Sequence, residues 1–359
     1  MLLHRYVIRE FFPPFIIGLA VFTFLLVARQ LVLVMDLFLN RGVELGILLK
    51  MSGLILPMFL PLSIPMAALL AALLAYGRLS EDGEITALRS AGLSLFRYSW
   101  PNLALGLVLS LLLVYFNLNL APRAAMEFKN IYSAVARQNP LALFSAKVVN
   151  NFGEYQIYVE KMDRRKNKIS GVTIYRLNPE SGPTRILAPE GEVSSSLSEG
   201  LTLELREGTI HQPSQDKESQ YTITKFNKFI LRVPAQADSV KEAATAREMT
   251  YSELKAKAQD AIWKNIDPAA WKTEIQMRFS VAFAPFIFVL LGTILGLSFK
   301  RNIKSAGIGM SLIVILFYYG LMIFMTSLSS QGAFSPLILA WVPNLLALGV
   351  GSGLWVKAR

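Results

Sequence analysis

Apolar residues gather into six runs of the length a bilayer crossing requires, about 20 residues: 11–34, 51–76, 101–121, 279–299, 306–328 and 336–356. Three precede and three follow a long polar segment. Inside that segment the pattern changes from continuous to alternating. The runs 155–162, 169–177, 184–195, 201–211 and 221–233 alternate apolar and polar residues, with turn sequences such as NPESGP and REG between them. That pattern predicts short strands with one apolar face. Regularly spaced strands of this kind build a sandwich or jelly roll, in which the apolar face becomes either a closed core or the lining of a greasy groove. A helical pattern returns over 250–265, opened by the capping pair Thr250 and Glu253. From about 268 a second helix leads into the fourth span, with Glu274 and Arg278 one turn apart and able to pair. The fold class is therefore an α-helical membrane protein with six transmembrane helices, three plus three, and an inserted β-domain of sandwich or jellyroll type. Its parts are 1–121 with the first three spans, 122–275 with the β-domain over about 140–235 and connecting helices, and 276–359 with the last three spans.

The polar connection between the second and third spans, GRLSEDGEITALRSAGLSLFRYS over 77–99, carries its own helix signal. Ser80 is followed by acids at 81, 82 and 84, where a helix N-terminus favours negative charge. The strict capping box is missed, since Gly83 stands where the acid should be. Glu84, Leu88 and Gly92 share one face with Glu81 and Arg89 beside it, and Gly92 is placed to end the helix. The expectation is a short amphipathic helix over about 80–92, lying on the membrane surface and offering carboxylates to another protein.

Charge sets the orientation. The formal net charge is +11, of which segment 122–275 holds only +3, from 22 basic and 19 acidic residues. Arg5, Arg9, Arg78, Arg89, Arg97, Lys300, Arg301, Lys304, Lys357 and Arg359 fall on one side of the spans, against Arg41 and Lys50 on the other. The positive-inside rule puts both termini and the 77–99 connection in the cytoplasm and the β-domain outside, or in the periplasm of a two-membrane bacterium. Basic residues beside apolar spans point to membrane topology and anionic lipid, with no nucleic acid as partner. The first apolar run is long and lacks a small-residue cleavage site, so no cleavable signal peptide is expected.

Chemistry is sparse. The chain has no Cys, and its two His, His4 and His211, lie far apart, which leaves no thiolate metal site, disulfide or Cys nucleophile. No GxxxxGK[ST], HExxH or GxSxG motif occurs, so no intrinsic enzyme, cofactor or metal is expected. GVGSG at 349–353 lies inside an apolar span and is not a nucleotide loop. Two packing features stand out instead. Pro57, Pro61 and Pro65 repeat every four residues on one face of the second span, as a fixed kink or a deformable rod. Gly292 and Gly296 form a GxxxG in the fourth span, and Gly349, Ser352 and Gly353 put small residues in the sixth, which lets helices approach closely within the chain or with a partner. Arg29 lies about 27 Å along the first helix from Phe11, near the outer headgroup level. There it either snorkels to water or lipid phosphate, or grips the phosphate of an amphipathic substrate bidentately.

With spans, loops and domain placed, the whole chain resembles the LptF/LptG family of lipopolysaccharide export permeases. Arg5-Tyr6 with Arg9-Glu10 resembles the family's N-terminal start. Gly77-x-Leu79 leading to Glu84-Ile85 and then Ala91-Gly92-Leu93-Ser94 resembles its cytoplasmic coupling helix. Ile157-Tyr158-Val159-Glu160 resembles an early strand of its periplasmic jellyroll. The coupling sequence is closer to LptF than to LptG. The resemblance implies an inner-membrane permease subunit that extracts lipopolysaccharide and passes it to a periplasmic bridge. The implied partners are a second LptF/LptG-type permease, an LptB-like ATPase dimer, LptC- and LptA-like periplasmic proteins, and membrane lipids. It implies that Glu84 contacts the ATPase, supported by Glu81, Arg89 and Gly92, and that Arg29 meets lipid A phosphates. Two other classes stand against this reading: a non-transporting envelope scaffold whose β-domain binds proteins, and an ion-driven secondary transporter. The shortage of intramembrane acids counts against the latter.

Overall fold

A computed structural model describes residues 2–41, 44–138, 146–152, 154–163, 168–178, 182–196, 200–213, 221–233, 246–298, 303–330 and 335–357. Lys300, Arg301, Arg359, most of the 329–335 loop and the tip of the NPESGP turn lie outside the described residues. The chain divides into two compact units, residues 1–32, 52–127 and 245–359 in one and 33–51 and 128–244 in the other.

All six apolar runs are helices long enough to cross a membrane. They belong to α1 (Leu2–Arg41), α2 (Leu45–Glu81), α4 (Leu95–Tyr115), α7 (Ala269–Ser298), α8 (Ile303–Ser330) and α9 (Pro336–Lys357). The third continues through a π-helical turn, Phe116–Leu120, into the amphipathic α5 (Ala121–Gln138). A short helix, α3 (Glu84–Ser90), stands alone between the second and third spans. Tyr251–Trp263 forms α6, and the Glu253 carboxylate accepts the Thr250 backbone N–H at 2.7 Å, as the capping pair predicts.

Inside the helical unit, α2 and α7 are the most buried helices, and the GxxxG explains how. A Cβ built on Gly292 would lie 2.7 Å from the Leu69 carbonyl oxygen, and one on Gly296 2.7 Å from that of Leu73. The two backbones thus touch along a seam that only glycine permits. Gly349 and Gly353, by contrast, have open space before them, and Gly351 is the small residue of α9 that packs against α7, on Leu290 and Leu291. Polar side chains pin the other helices. Ser280 Oγ donates to the Ala340 carbonyl at 2.6 Å, the Asn344 amide donates to the Ser280 carbonyl at 2.7 Å, and Tyr318 Oη donates to Asn344 Oδ1 at 2.6 Å. This network ties α7, α8 and α9 beside Pro343, whose missing N–H leaves a helix carbonyl unpaired. The proline-bearing turns of α2 form one continuous helix with the rest of it, and Tyr319 Oη donates to the Leu62 carbonyl at 3.2 Å in that stretch.

The pair predicted near the start of the fourth span is present. Arg278 Nε donates to Glu274 Oε1 at 3.2 Å, and its Nη2 reaches the carbonyls of Ala246 and Arg247 at 3.0 and 3.1 Å. Both side chains are largely buried. The Arg278 carbonyl in turn accepts the Asn117 amide of the π turn at 3.0 Å. The arginine therefore fixes chain geometry at the entry to α7.

The β-domain is one antiparallel sheet of six strands in chain order: β1 (Val149–Phe152), β2 (Tyr155–Asp163), β3 (Lys168–Asn178), β4 (Gly182–Ser196), β5 (Gly200–Pro213) and β6 (Tyr221–Val233). Five match the predicted runs, and β1 is added at the edge. Its jellyroll character lies in the way this single meander curls around one core, a cluster including Ile157, Val172, Ile174, Leu203 and Leu205, all at most 1% exposed.

A crease makes that curling possible. Core-facing residues alternate by two along each strand until one point, where they step by three. The step runs from Val159 to Met162, Ile169 to Val172, Ala188 to Gly191, Leu205 to Gly208 and Phe226 to Phe229. Strand register aligns these steps on one line through Glu160, Gly171, Pro189, Glu207 and Asn227. A step of one residue would normally turn a strand's apolar set to solvent. Here β2 to β6 shift together, so both halves of the folded sheet face the same core. Gly171 and Glu207 take left-handed backbone angles, φ 65° and 52°, and Pro189 sits where the ladder is interrupted and its missing N–H is tolerated. Gly171→Val would place a β-branched residue at positive φ with its Cβ 2.6 Å from the Glu160 carboxylate. It is expected to destabilise the β-domain by about 1–3 kcal/mol and to speed amide exchange in β3 and β4 while the helices exchange as before.

Candidate functional site

The predicted surface helix exists, with a different start. Ser80 does not cap it: α2 runs on through Ser80 to Glu81, with Leu79 buried and Ser80 Oγ donating to the Leu297 carbonyl of α7 at 3.4 Å. Packing on α7 carries α2 one turn past its apolar run. The break comes at Gly83, whose φ of 75° turns the chain, and α3 begins with Glu84 in its first turn. Glu81 consequently lies at the end of α2, where it is exposed.

The helix end agrees with expectation. Gly92 has φ 79°, its N–H donates to the Arg89 carbonyl at 2.9 Å, and the Leu93 N–H donates to the Leu88 carbonyl at 3.1 Å. These bonds make a Schellman motif, with the half-buried Leu88 and Leu93 at its hydrophobic contact positions. Bounded by left-handed glycines at both ends, α3 is a seven-residue unit of fixed length.

One face of α3 is buried. Ile85 is 5% exposed and joins Val7, Tyr76, Leu79, Leu95, Tyr98 and Ile294, with Leu88, Leu354 and Trp355 packed around them. The start of α1, the end of α2, the start of α4, the end of α7 and the end of α9 thus meet beneath α3. Burying Ile85 alone contributes about 1.5–3 kcal/mol. The opposite face, with Thr86, Ala87, Arg89 and Ser90, is exposed.

Two polar contacts anchor this helix and its root to α1. Tyr6 Oη donates to Glu84 Oε1 at 2.8 Å. Arg78, in the last turn of α2, pairs with Glu10 at 2.8 Å and with Asp82 at 3.5 Å. Tyr6 and Glu10 are one turn apart on α1, as the run Arg5-Tyr6 to Arg9-Glu10 requires. The structure therefore brings the N-terminal motif onto the surface-helix motif. Tyr6 and Arg78 belong to this site without a local signal in the sequence, because their partners lie 78 and 68 positions away. Arg29 is elsewhere. It is exposed on α1 on the same side as Leu25 and Val32, with no hydrogen bond or ion pair among the described residues.

The arrangement is a platform. It offers a short, rigid, polar helix face on an apolar base shared by five helices, with a half-buried carboxylate oriented by a phenol. Gly92→Ala is expected to cost about 1 kcal/mol, read as faster exchange of the Leu93 amide with exchange in the α2 core unchanged.

A family model described as lipopolysaccharide export system permease LptF/LptG matches residues 5–357. No curated protein matches the chain.

Proposed function

Because the chain belongs to the LptF/LptG family of lipopolysaccharide export permeases, we propose that it is the permease subunit that draws lipopolysaccharide from the inner membrane and hands it to a periplasmic bridge, with α3 as the docking point of a separate ATPase. The observation that carries this reading is the mounting of α3. Its exposed face is free to meet a soluble protein, while Ile85, Leu88, Tyr6–Glu84 and Arg78–Glu10 tie it to the ends of the membrane helices. A push on α3 is delivered directly to α1, α2 and α4.

In this scheme both termini and α3 are cytoplasmic and the β-domain is periplasmic, an orientation supported by the basic residues Arg5, Arg9, Arg78, Arg89 and Arg97 on the α3 side. An LptB-like dimer supplies ATP hydrolysis, and a second LptF/LptG-type permease completes the membrane part. The curled β-domain passes lipid onward to LptC- and LptA-like proteins. Glu84 is the principal contact with the ATPase, and Glu81, Arg89 and Gly92 shape the surface around it. Tyr6 holds the Glu84 carboxylate in place. Glu84→Ala is expected to lower lipopolysaccharide-stimulated ATP hydrolysis of the assembled complex by roughly ten- to a hundredfold, from the range of about 1.5–3 kcal/mol for a hydrogen bond to a charged group, with the subunit still folded. Tyr6→Phe should produce a smaller loss of the same kind. Wild-type rates in both variants would remove α3 from the coupling path.

Arg29 is assigned to the substrate's phosphates. It stands among apolar residues on the exposed face of α1, where a guanidinium binds phosphate in two parallel hydrogen bonds and an ammonium does not. Lipopolysaccharide binding should therefore weaken in the order wild type, Arg29→Lys, Arg29→Ala. Equal binding by all three would identify Arg29 as a side chain that only snorkels.

A further inference from the structure

Directly behind the base of α3, the helices enclose a group of polar side chains that the packing does not satisfy. Tyr76 of α2, Tyr98, Ser99 and Asn102 of α4, and Thr293 of α7 are each 0% exposed. Tyr76 Oη reaches only the Tyr98 carbonyl, at 3.4 Å. The side chains of Ser99, Asn102 and Thr293 lie around that hydroxyl, yet none stands in direct hydrogen-bonding geometry with it. Tyr98 Oη, Ser99 Oγ, both polar atoms of the Asn102 amide and Thr293 Oγ1 are buried without a partner among the described residues. Such atoms are rare singly, and here five fall in one place.

The chemistry of the lining selects the occupant. All five side chains are neutral, and together they offer both donors and acceptors, the Asn102 amide alone providing two of each. No carboxylate stands among them to balance a cation and no guanidinium or ammonium to hold an anion. Water satisfies such a set, since a buried water makes two to four hydrogen bonds to polar groups that would otherwise go unpaired.

The position of the site within the bundle gives it a mechanical meaning. On the α2–α7 seam the backbones touch at Gly292 and Gly296, which leaves no room for sliding. Asn102, Gly106 and Ser110 form one stripe of α4 facing α7. At its far end the fit is tight: a Cβ on Gly106 would lie 3.2 Å from Phe286 Cα, and Ser110 Oγ accepts the Phe286 N–H at 3.1 Å, next to Pro285. Of the residues on this stripe, Asn102, at the end beside α3, is the one whose polar side-chain atoms are buried without a partner among the described residues. We propose that Tyr76, Tyr98, Ser99, Asn102 and Thr293 bind internal water and form a hydrated joint, on which the α3 end of α4 shifts against the α2–α7 pair while Gly106 and Ser110 serve as the pivot. Water exchanges hydrogen-bond partners without the loss that parting two directly bonded side chains entails. The movement of α4 rests on the coupling role proposed for α3, whereas the hydration does not.

Radiolytic hydroxyl labelling of the full chain in lipid nanodiscs tests the site, because radicals form at bound water and modify the ring beside it. Tyr318 is the internal control, 3% exposed and bonded directly to Asn344. Tyr76 and Tyr98 are expected to be modified several-fold faster than Tyr318, and Thr293→Val with Asn102→Leu should bring them down to its rate. Equal, slow modification of all three tyrosines in the wild-type chain would overturn the water site, whatever the variant does. The joint is tested in the assembled transporter with the same double variant. Loss of lipopolysaccharide-stimulated ATP hydrolysis, with the complex still assembled, supports it. Full stimulation in a variant shown to be dry would overturn the joint and leave the α3 docking role standing.

Discussion

The helical unit depends on the contact of α2 with α7. Gly292 and Gly296 let the backbone of α7 rest on the carbonyls of Leu69 and Leu73, and a side chain at either position would force the pair apart. Close approach maximises dispersion contacts where no hydrophobic drive separates helix from lipid. The remaining helices are then placed against this pair by a few polar bonds, Ser280–Ala340 and Asn344–Ser280 on one side and Ser110–Phe286 on the other. The α2–α7 contact also determines how far α2 extends, since Ser80 still reaches Leu297 after the apolar run has ended. The position of α3 follows from where α2 stops.

The result is a division of labour along the bundle axis. The middle is closed and tightly packed, while the end near α3 gathers the ends of five helices around Ile85. Short polar links, Tyr6–Glu84 and Arg78–Glu10, join the first helix to that assembly. A helix of seven residues held between two left-handed glycines has a fixed length and a fixed place on that assembly. The β-domain achieves its own closure by a different device, a crease shared by five strands, so that one meander supplies both walls of its core.

Much of this was legible in the sequence. Continuous apolar runs mark membrane helices because the bilayer tolerates nothing else, and the strand alternations of 155–162 through 221–233 were long enough to register. The Thr250–Glu253 cap and the Glu274–Arg278 pair are local, so spacing alone reveals them. Non-local features were not visible. Ser80 reads as a cap because the pull of Leu297 on α2 is a tertiary effect. VNNF at 149–152 is too short and polar to announce β1. The crease shows in any one strand as a single irregular step, easily taken for noise, and becomes a pattern only when register aligns Glu160, Gly171, Pro189, Glu207 and Asn227. Tyr6 and Arg78 belong to the site through partners far along the chain, which one sequence does not disclose.

Docking of a soluble ATPase on the exposed face of α3, as proposed, is open to a direct test. The most direct measurement places a photocrosslinking amino acid at Ala87, which is exposed on the face opposite Ile85, and identifies what it captures in native membranes. One dominant adduct is expected, a soluble protein carrying a P-loop, whose yield falls when the crosslinker is moved to Phe317, exposed on the apolar helix α8. Capture of envelope or membrane proteins alone from Ala87, with no P-loop protein among them, would contradict it.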